Sequence, residues 1–530
     1  MNEEITKNIV CGNTVAGIEF GSTRIKAVLT GVDGKPYASG SFEWENRLEN
    51  GYWTYHEEEI IAGLQACFAE LKKNVLDLYD TEFITCRAMG ISAMMHGYLA
   101  LDHNGNLLTP FRTWRNNTTG TAAEALTEVF QVNIPQRWSV AHLYQAILNH
   151  EEHVGKIAYL TTLAGYVHWR LTGEKVIGIG DASGMFPINT ISGDYDEKMV
   201  DQFDRMIAKR GYPWTIRDIL PRVEKAGVNA GRLTEHGAQL LGMPGQCMGI
   251  PFCPPEGDAG TGMVATNCVR EKTGNISAGT SIFAMVVMEH GLKNVHHEID
   301  PVMTPDGQPV AMVHANNCTS DINSWAGLFD QFAESMGWKP DKKCIYETLY
   351  RKALEGDPDC GGLMSYGYIS GEFITGVMSG RPLFLRKAAA KFTLANFMRM
   401  HIYSAMTVLR IGMDILTKEE QVSITSLFGQ GGFFRTPEIG QKLMAAALNT
   451  PVSVMETAGE GGPWGMAILA AYMICRNNGE ALADYLENKI FRGDRATTIL
   501  PDSRDVAGFN AFLDEYKKGL IIEKMASEIF

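Results

Sequence analysis

The chain has 530 residues, 45% of them hydrophobic, and carries a formal net charge of −14. That length holds roughly two to four domains with sizeable cores, and an acidic balance without a basic run excludes a surface that tracks a nucleic-acid backbone. The ten cysteines form no CxxC pair, no run of about 18 apolar residues is present, and the opening MNEEITKNIV has no apolar signal core; a soluble, reduced, cytoplasmic protein is expected, with no membrane partner.

The first element, GIEFGSTRIKAVL (17–29), reads as two strands around a Gly21-Ser22-Thr23 turn, because Ile25, Ala27 and Leu29 alternate with polar residues. Neither GxxxxGK[ST] nor GxGxxG is present there. Arg24 and Lys26 read equally well as solvent-facing strand positions or as phosphate partners. DGKP (33–36) is a turn and YASGSFEW a third strand. EEEIIAGLQACFAELKKNV (57–75) is an amphipathic helix with acids in its first turn. AMGISAMMHGYLALD (88–102) returns to strand, and AYLTTLAGYVHWRLTGE (158–174) predicts a helix that stops at Gly173. The alternation defines an α/β protein.

Asp258, in CPPEGDAGTGM, follows an apolar run and precedes a stretch of small residues, so it reads as a helix cap or as a catalytic carboxylate. Residues 274–288, GNISAGTSIFAMVVM, repeat the opening pattern of strand, small polar turn and strand about half a chain later, which predicts a duplicated fold. Such a turn offers N–H and hydroxyl donors to a phosphate without any helix; a plain structural turn is the alternative reading. GQGGFFRTPEIGQKLMAAALNT combines a glycine turn with a helix that starts at Pro437 and buries Ile439, Leu443 and Ala447. The closing GEGGPWGMAILAAY is expected to pack its small residues near that glycine turn.

Taken together these segments resemble the FGGY carbohydrate kinases of the actin–hexokinase–sugar kinase superfamily, from about residue 14 to about 475. The resembling segments are GIEFGSTRIKAV, MMHGYLALD, RLTGEKVIGIGDASG, GDAGTGM, NISAGTSIF, the glycine-turn helix and GGPWGMAILAAY. The resemblance implies two actin-like (ribonuclease H-like) α/β domains with an intervening cleft. Residues 1–13 then form an extension, 14–266 an N-terminal domain, 267–480 a C-terminal domain, and 481–530 a helical tail packed on the latter. It implies ATP and Mg²⁺ as cofactors and Asp258 as general base. Sugar contacts fall on Met95, His96, Trp114, Asn116 and Asp258. ATP contacts fall on Gly21, Ser22, Thr23, Lys26, Gly279, Thr280, Ser281, Gly431, Gly432 and Phe433. The metal falls to Glu19 and Asp258, with Glu19 standing where the family usually has aspartate. Glu372, in ISGEF, matches a family Gly-Glu pair without the arginine that follows it and is read as structural.

The wording of GISAMMHGYLAL and PFRTWRNN is most similar to the shorter ribulokinases. L-ribulose is therefore the expected ketopentose and D-xylulose the runner-up; Asn116, in place of a family aspartate, carries that ranking, since an amide both donates and accepts. A homodimer is compatible with the sequence. An actin-like or chaperone-type ATPase without a sugar substrate is disfavoured by the MHG and GDAGTG segments, and a sugar-responsive repressor by the lack of a helix-turn-helix before the first hairpin.

Overall fold

The structure is a computed structural model that describes all residues except 1, 340, 437, 456–460 and 494–495. The chain divides into two compact units. The first comprises Met1–Arg270, Asn294–Val310 and Glu460–Gly493, the second Glu271–Lys293, Ala311–Gly459 and Asp494–Phe530. The chain crosses from the first unit to the second after Arg270 and returns to the first twice.

In the first unit a mixed sheet runs Gly231–Arg232, Pro251–Phe252, Ala88–Ala93, Thr14–Phe20, Arg24–Gly31, Pro36–Glu43. Thr14–Phe20 is buried almost throughout because it has a neighbour on each side, parallel to Ala88–Ala93 and antiparallel to Arg24–Gly31. Arg24–Gly31 begins with outward Arg24 and Lys26 and inward Ile25 and Ala27, the alternation read from the sequence. The helix Glu57–Tyr79 covers one face with Ile60, Leu64, Phe68, Leu71 and Val75. The short strand Glu256–Gly257 adds to Ala88–Ala93 in parallel and leads directly into the helix Asp258–Ala265.

Two expected elements are divided by their turns. The strand expected over 88–102 breaks into Ala88–Ala93 and Leu99–Leu101, because His96 (φ 73°) and Gly97 (φ 99°) adopt left-handed backbone and reverse the chain. The helix expected from 158 begins at Leu163, capped by the Thr162 hydroxyl, since Tyr159–Thr161 pairs as a strand with Leu99–Leu101. Gly173 ends that helix in the left-handed conformation as expected.

The second unit repeats the device. Thr273–Ala278 and Ile282–Val287 form an antiparallel hairpin, and Ser426–Gln430 joins Thr273–Ala278 in parallel. Val452–Met455 and Ala496–Ile499 continue the sheet, so the tail expected to be helical first supplies a strand. Its helix Ser503–Ile529 then packs on the long buried helix Leu394–Asp414, where Asp505 pairs with Arg399.

The closing helix Gly461–Cys475 is apolar all round and belongs to the first unit. It lies against Thr14–Phe20, so closely that a Cβ on Gly17 would stand 2.1 Å from Pro463 O. Its Gly462 and Gly465 stand against Glu19 and Thr261 of the same unit. The Pro437 expected to start the other helix lies outside the described residues; that helix runs Ile439–Leu448.

Candidate active site

In the first unit, three parallel strands bring their carboxyl ends to one edge. Glu19 and Glu256 both stand in register with Ser92, while Phe20 and Gly257 both stand in register with Ala93. Loops that leave such an edge gather side chains from distant parts of the sequence. Here they gather Glu19, Met95, His96 and Asp258.

Asp258 is the first residue of its helix, and its Oδ1 accepts the Met95 N–H at 3.1 Å. Solvent reaches the carboxylate, yet protein crowds it closely enough for desolvation to raise its pKa against the N–H groups of Met95, Ala259 and its own residue. Glu19 is raised further, to about 8, first by burial and then by the negative charge of Asp258, with Lys26 opposing from the paired strand. Two carboxylates that repel each other in this way form a ready place for positive charge. Glu19 Oε2 lies so close to Gly462 that a Cβ there would be 1.5 Å away. Only glycine at the start of the closing helix leaves the carboxylate its position.

The first hairpin turn is held from one side by aromatic donors. Trp44 Nε1 donates to Gly21 O at 2.7 Å, the Tyr55 hydroxyl to Ser22 O, and the Trp44 N–H to Thr23 O at 3.2 Å. Trp44 and Tyr55 stack with ring centroids 4.0 Å apart. With its three carbonyls occupied, the turn offers an anion its remaining donors, N–H and hydroxyl. Trp114 Nε1 donates to Ser22 Oγ at 3.2 Å, so the Ser22 proton is left to donate elsewhere. Thr23 and Lys26 are exposed, and Arg24 is spent on a surface pair with Glu43.

Met95 and His96 follow the strand Ala88–Ala93 and have different surroundings. The Met95 side chain is buried over Gly257, and its N–H holds Asp258. His96 is buried with Nδ1 3.4 Å from Gly184 O; desolvation, and then Arg137, keep its pKa well below the usual range and its ring neutral.

Asn116 is a correction. Its Oδ1 accepts the Trp53 N–H at 2.8 Å, and its Nδ2 donates to Trp53 O and Thr113 O, each at 2.9 Å. The residue is 1% exposed. Its amide is consumed by backbone, and an aspartate could not make the two donations.

The segment GIGDASG contributes glycines that make room for buried groups. Gly178 and Gly180 leave room for the buried Glu256 carboxylate, which accepts the N–H groups of Gly180 (3.3 Å) and Asp181 (3.0 Å). Gly184 leaves room for the His96 ring. Asp181, 1% exposed and bonded by the Thr162 hydroxyl at 2.6 Å, is raised to about 7 by burial and, after Thr162's opposing hydrogen bond, by Asp258. Glu256 and Asp181 thus fix the segment beside Asp258. The glycine spacing was the only sequence signal for them.

In the second unit the hairpin turn Gly279–Ser281 and the glycine turn meet at one sheet edge, since Ser277 pairs with Gln430. Gly431, at φ 96°, requires glycine: a Cβ would stand 2.4 Å from Ala278 O. Gly279 and Gly432 border open space, with nothing within 4 Å of a Cβ. Phe433 is a second correction. It is 1% exposed and packs edge-on against Tyr350, so its side chain anchors the turn from within the core. Glu372 is buried and bonded by Asn316 and Asn317, the structural role expected of it.

Residues 14–264 match the N-terminal domain of the FGGY family of carbohydrate kinases and residues 274–474 match its C-terminal domain. Hairpin, carboxylate edge and matched domains coincide, and the chain belongs to the FGGY family of carbohydrate kinases. It is accordingly a phosphotransferase that acts on a sugar hydroxyl. Among relatives it is 22% identical over 445 residues to a xylulose kinase of Haemophilus influenzae, covering 81% of this chain and 83% of that one. The fold is similar to the xylulose kinase of Rhodospirillum rubrum, with TM-score 0.78 and 18% identity over 97% of this chain and 100% of that one. It is also similar to a Plasmodium falciparum glycerol kinase solved with ADP, with TM-score 0.74 and 14% identity over 96% and 98%. Among the described residues no helix is long and apolar enough to cross a membrane.

Proposed function

We propose that the chain transfers the γ-phosphoryl group of ATP to a ketopentose, with D-xylulose the first candidate and L-ribulose the second. The observation that carries the reading is Asp258, held by the Met95 N–H beside Glu19 at the carboxyl edge of the first sheet. A hydroxyl oxygen of the sugar attacks the γ-phosphorus, the bond to the bridging oxygen breaks, ADP leaves, and the hydroxyl proton passes to Asp258. The raised pKa of Asp258 suits it to accept that proton. Neutral His96 can polarise the sugar without adding charge. The donors of Ser22 and Thr23 and the Lys26 ammonium suit the phosphates in the first unit. The open surfaces at Gly279 and Gly432 suit the nucleotide in the second.

Mg²⁺ fits Glu19 and Asp258: both are hard oxygen donors, their mutual repulsion asks for a cation, and Gly462 leaves Glu19 its place. When bound, the ion would neutralise charge on the phosphates. Glu19, one methylene longer than the usual aspartate, extends into the space over Gly462.

The names of the relatives favour D-xylulose. Asn116, the residue that would favour L-ribulose, has its amide used by Trp53 and Thr113. Measured kcat/KM for the two sugars tests the ranking. D-xylulose should lead by about tenfold or more, the worth of about one hydrogen-bonded hydroxyl; an equal lead for L-ribulose would reverse it.

A further inference from the structure

The second hairpin turn does not stand alone. The residues before the helix Thr319–Ser335 hold its carbonyls: Cys318 N–H donates to Thr280 O at 2.9 Å, and Thr319 donates to Gly279 O through both N–H (3.1 Å) and hydroxyl (2.8 Å). This is the counterpart in the second unit of the aromatic donors around Gly21 and Ser22. Whatever fixes the first turn of that helix therefore fixes the hairpin.

Two buried groups do so. Glu372 accepts the N–H groups of Asn316 and Asn317 and the Asn317 amide. One turn further on, Asp321 Oδ2 accepts His401 Nδ1–H at 2.9 Å, and His401 projects from the long helix Leu394–Asp414 that forms the core of the unit. The His401 ring is wedged at 4.5 Å from the Phe397 ring and 5.1 Å from that of Trp325, and Gly367 leaves space for Asp321 on its other side. His401 is 2% exposed, and its Nε2 has no hydrogen-bond partner among the described residues. A cavity of about 10 Å³, room for one water, is lined by Asn317, Cys318, Asp321, Tyr368, His401 and Ser404. The pair is thus a rigid link from the core helix to the segment that supports Gly279 and Thr280.

We infer that His401 is a positioning residue for the second phosphate hairpin, acting through Asp321 and the helix start at Thr319. The inference rests on the nucleotide reading proposed above. It makes nucleotide affinity, rather than sugar affinity or the chemical step, the quantity His401 controls.

The test is calorimetric titration of the full chain with MgADP, alongside KM for the sugar and thermal stability. His401→Leu, which keeps the bulk and removes the donor, should weaken MgADP about fivefold or more with sugar KM within about twofold of wild type. His401→Asn places an amide N–H where Nδ1 stood and should recover most of the affinity. A folded His401→Leu protein that binds MgADP like wild type, or that loses sugar and nucleotide affinity in equal measure, would overturn the inference. Should His401→Leu fail to fold, Thr319→Val carries the same test from a half-buried position. It should weaken MgADP about threefold, the cost of one hydroxyl hydrogen bond, and unchanged affinity would overturn the inference equally. A wild type that binds no MgADP would overturn the nucleotide reading itself, and this inference with it.

Discussion

Replacing Gly462 by alanine tests the metal role of Glu19 with a single methyl group. The new Cβ would lie 1.5 Å from Glu19 Oε2, 2.6 Å from its Cδ and 3.1 Å from Thr261 Oγ1. Thr261 is fixed, because its hydroxyl meets Ser92 and the backbone of its own helix, and the closing helix is fixed by its contact with Thr14–Phe20. The carboxylate is the end of a side chain and must be what moves. Gly462 lies in the first turn of its helix and outside the left-handed region, so alanine adds no backbone strain and Tm should change little. A displaced ligand is expected to weaken Mg²⁺ by about 10–100-fold. Steady-state ADP release titrated with Mg²⁺ reads this as a raised half-saturating concentration, with sugar affinity preserved. Wild-type Mg²⁺ dependence in folded Gly462→Ala would refute the reasoning and remove Glu19 from the metal site.

Asp258→Asn should lower kcat by about 10²–10⁴-fold, and near-normal turnover would remove Asp258 from the base role and leave it a partner of the Met95 N–H. Asn116→Asp should cost about 2–4 kcal/mol of stability, because two buried carbonyls lose their donor and a charge is buried, while the ratio of kcat/KM between D-xylulose and L-ribulose stays put; a stable variant with altered preference would return Asn116 to the sugar site. Glu372 is raised to about 7 because burial outweighs the three N–H donors that stabilise its ionised form. A carboxyl with a raised folded pKa contributes its stability below the unfolded pKa and loses it as pH rises through the folded one. Tm should therefore fall between about pH 5 and pH 8, and Glu372→Gln should lower Tm overall while flattening that fall. Parallel wild-type and variant curves would show that Glu372 ionises at its ordinary pH.

The hairpins were legible because strand alternation and a glycine turn are local signals: Ile25, Ala27 and Leu29 face inward as read, and the second hairpin forms around the turn read at Gly279–Ser281. The capped end at Gly173 was legible for the same reason. What local pattern could not reveal was the support of each turn. Trp44, Tyr55 and Trp114 reach the first turn from 23, 33 and 92 residues away, and Thr319 reaches the second from 40. No periodicity records such contacts. The motif at Met95-His96 was legible by resemblance, but the left-handed backbone at His96 and Gly97 and the Met95 N–H bond to Asp258 were not. Asn116 shows the converse error. A polar residue at an expected sugar position looked like a specificity choice, and its amide answers instead to the backbone of Trp53. The closing helix, apolar on every side, declared that it would be buried; which sheet buries it was decided by the close approach of Pro463 to Gly17.

The account stands most directly on whether ATP turnover depends on sugar. Purified protein with MgATP should release ADP slowly alone and far faster with D-xylulose, with one phosphorylated sugar formed for each ADP. ADP release that is indifferent to D-xylulose, L-ribulose and every other sugar or polyol offered would contradict it.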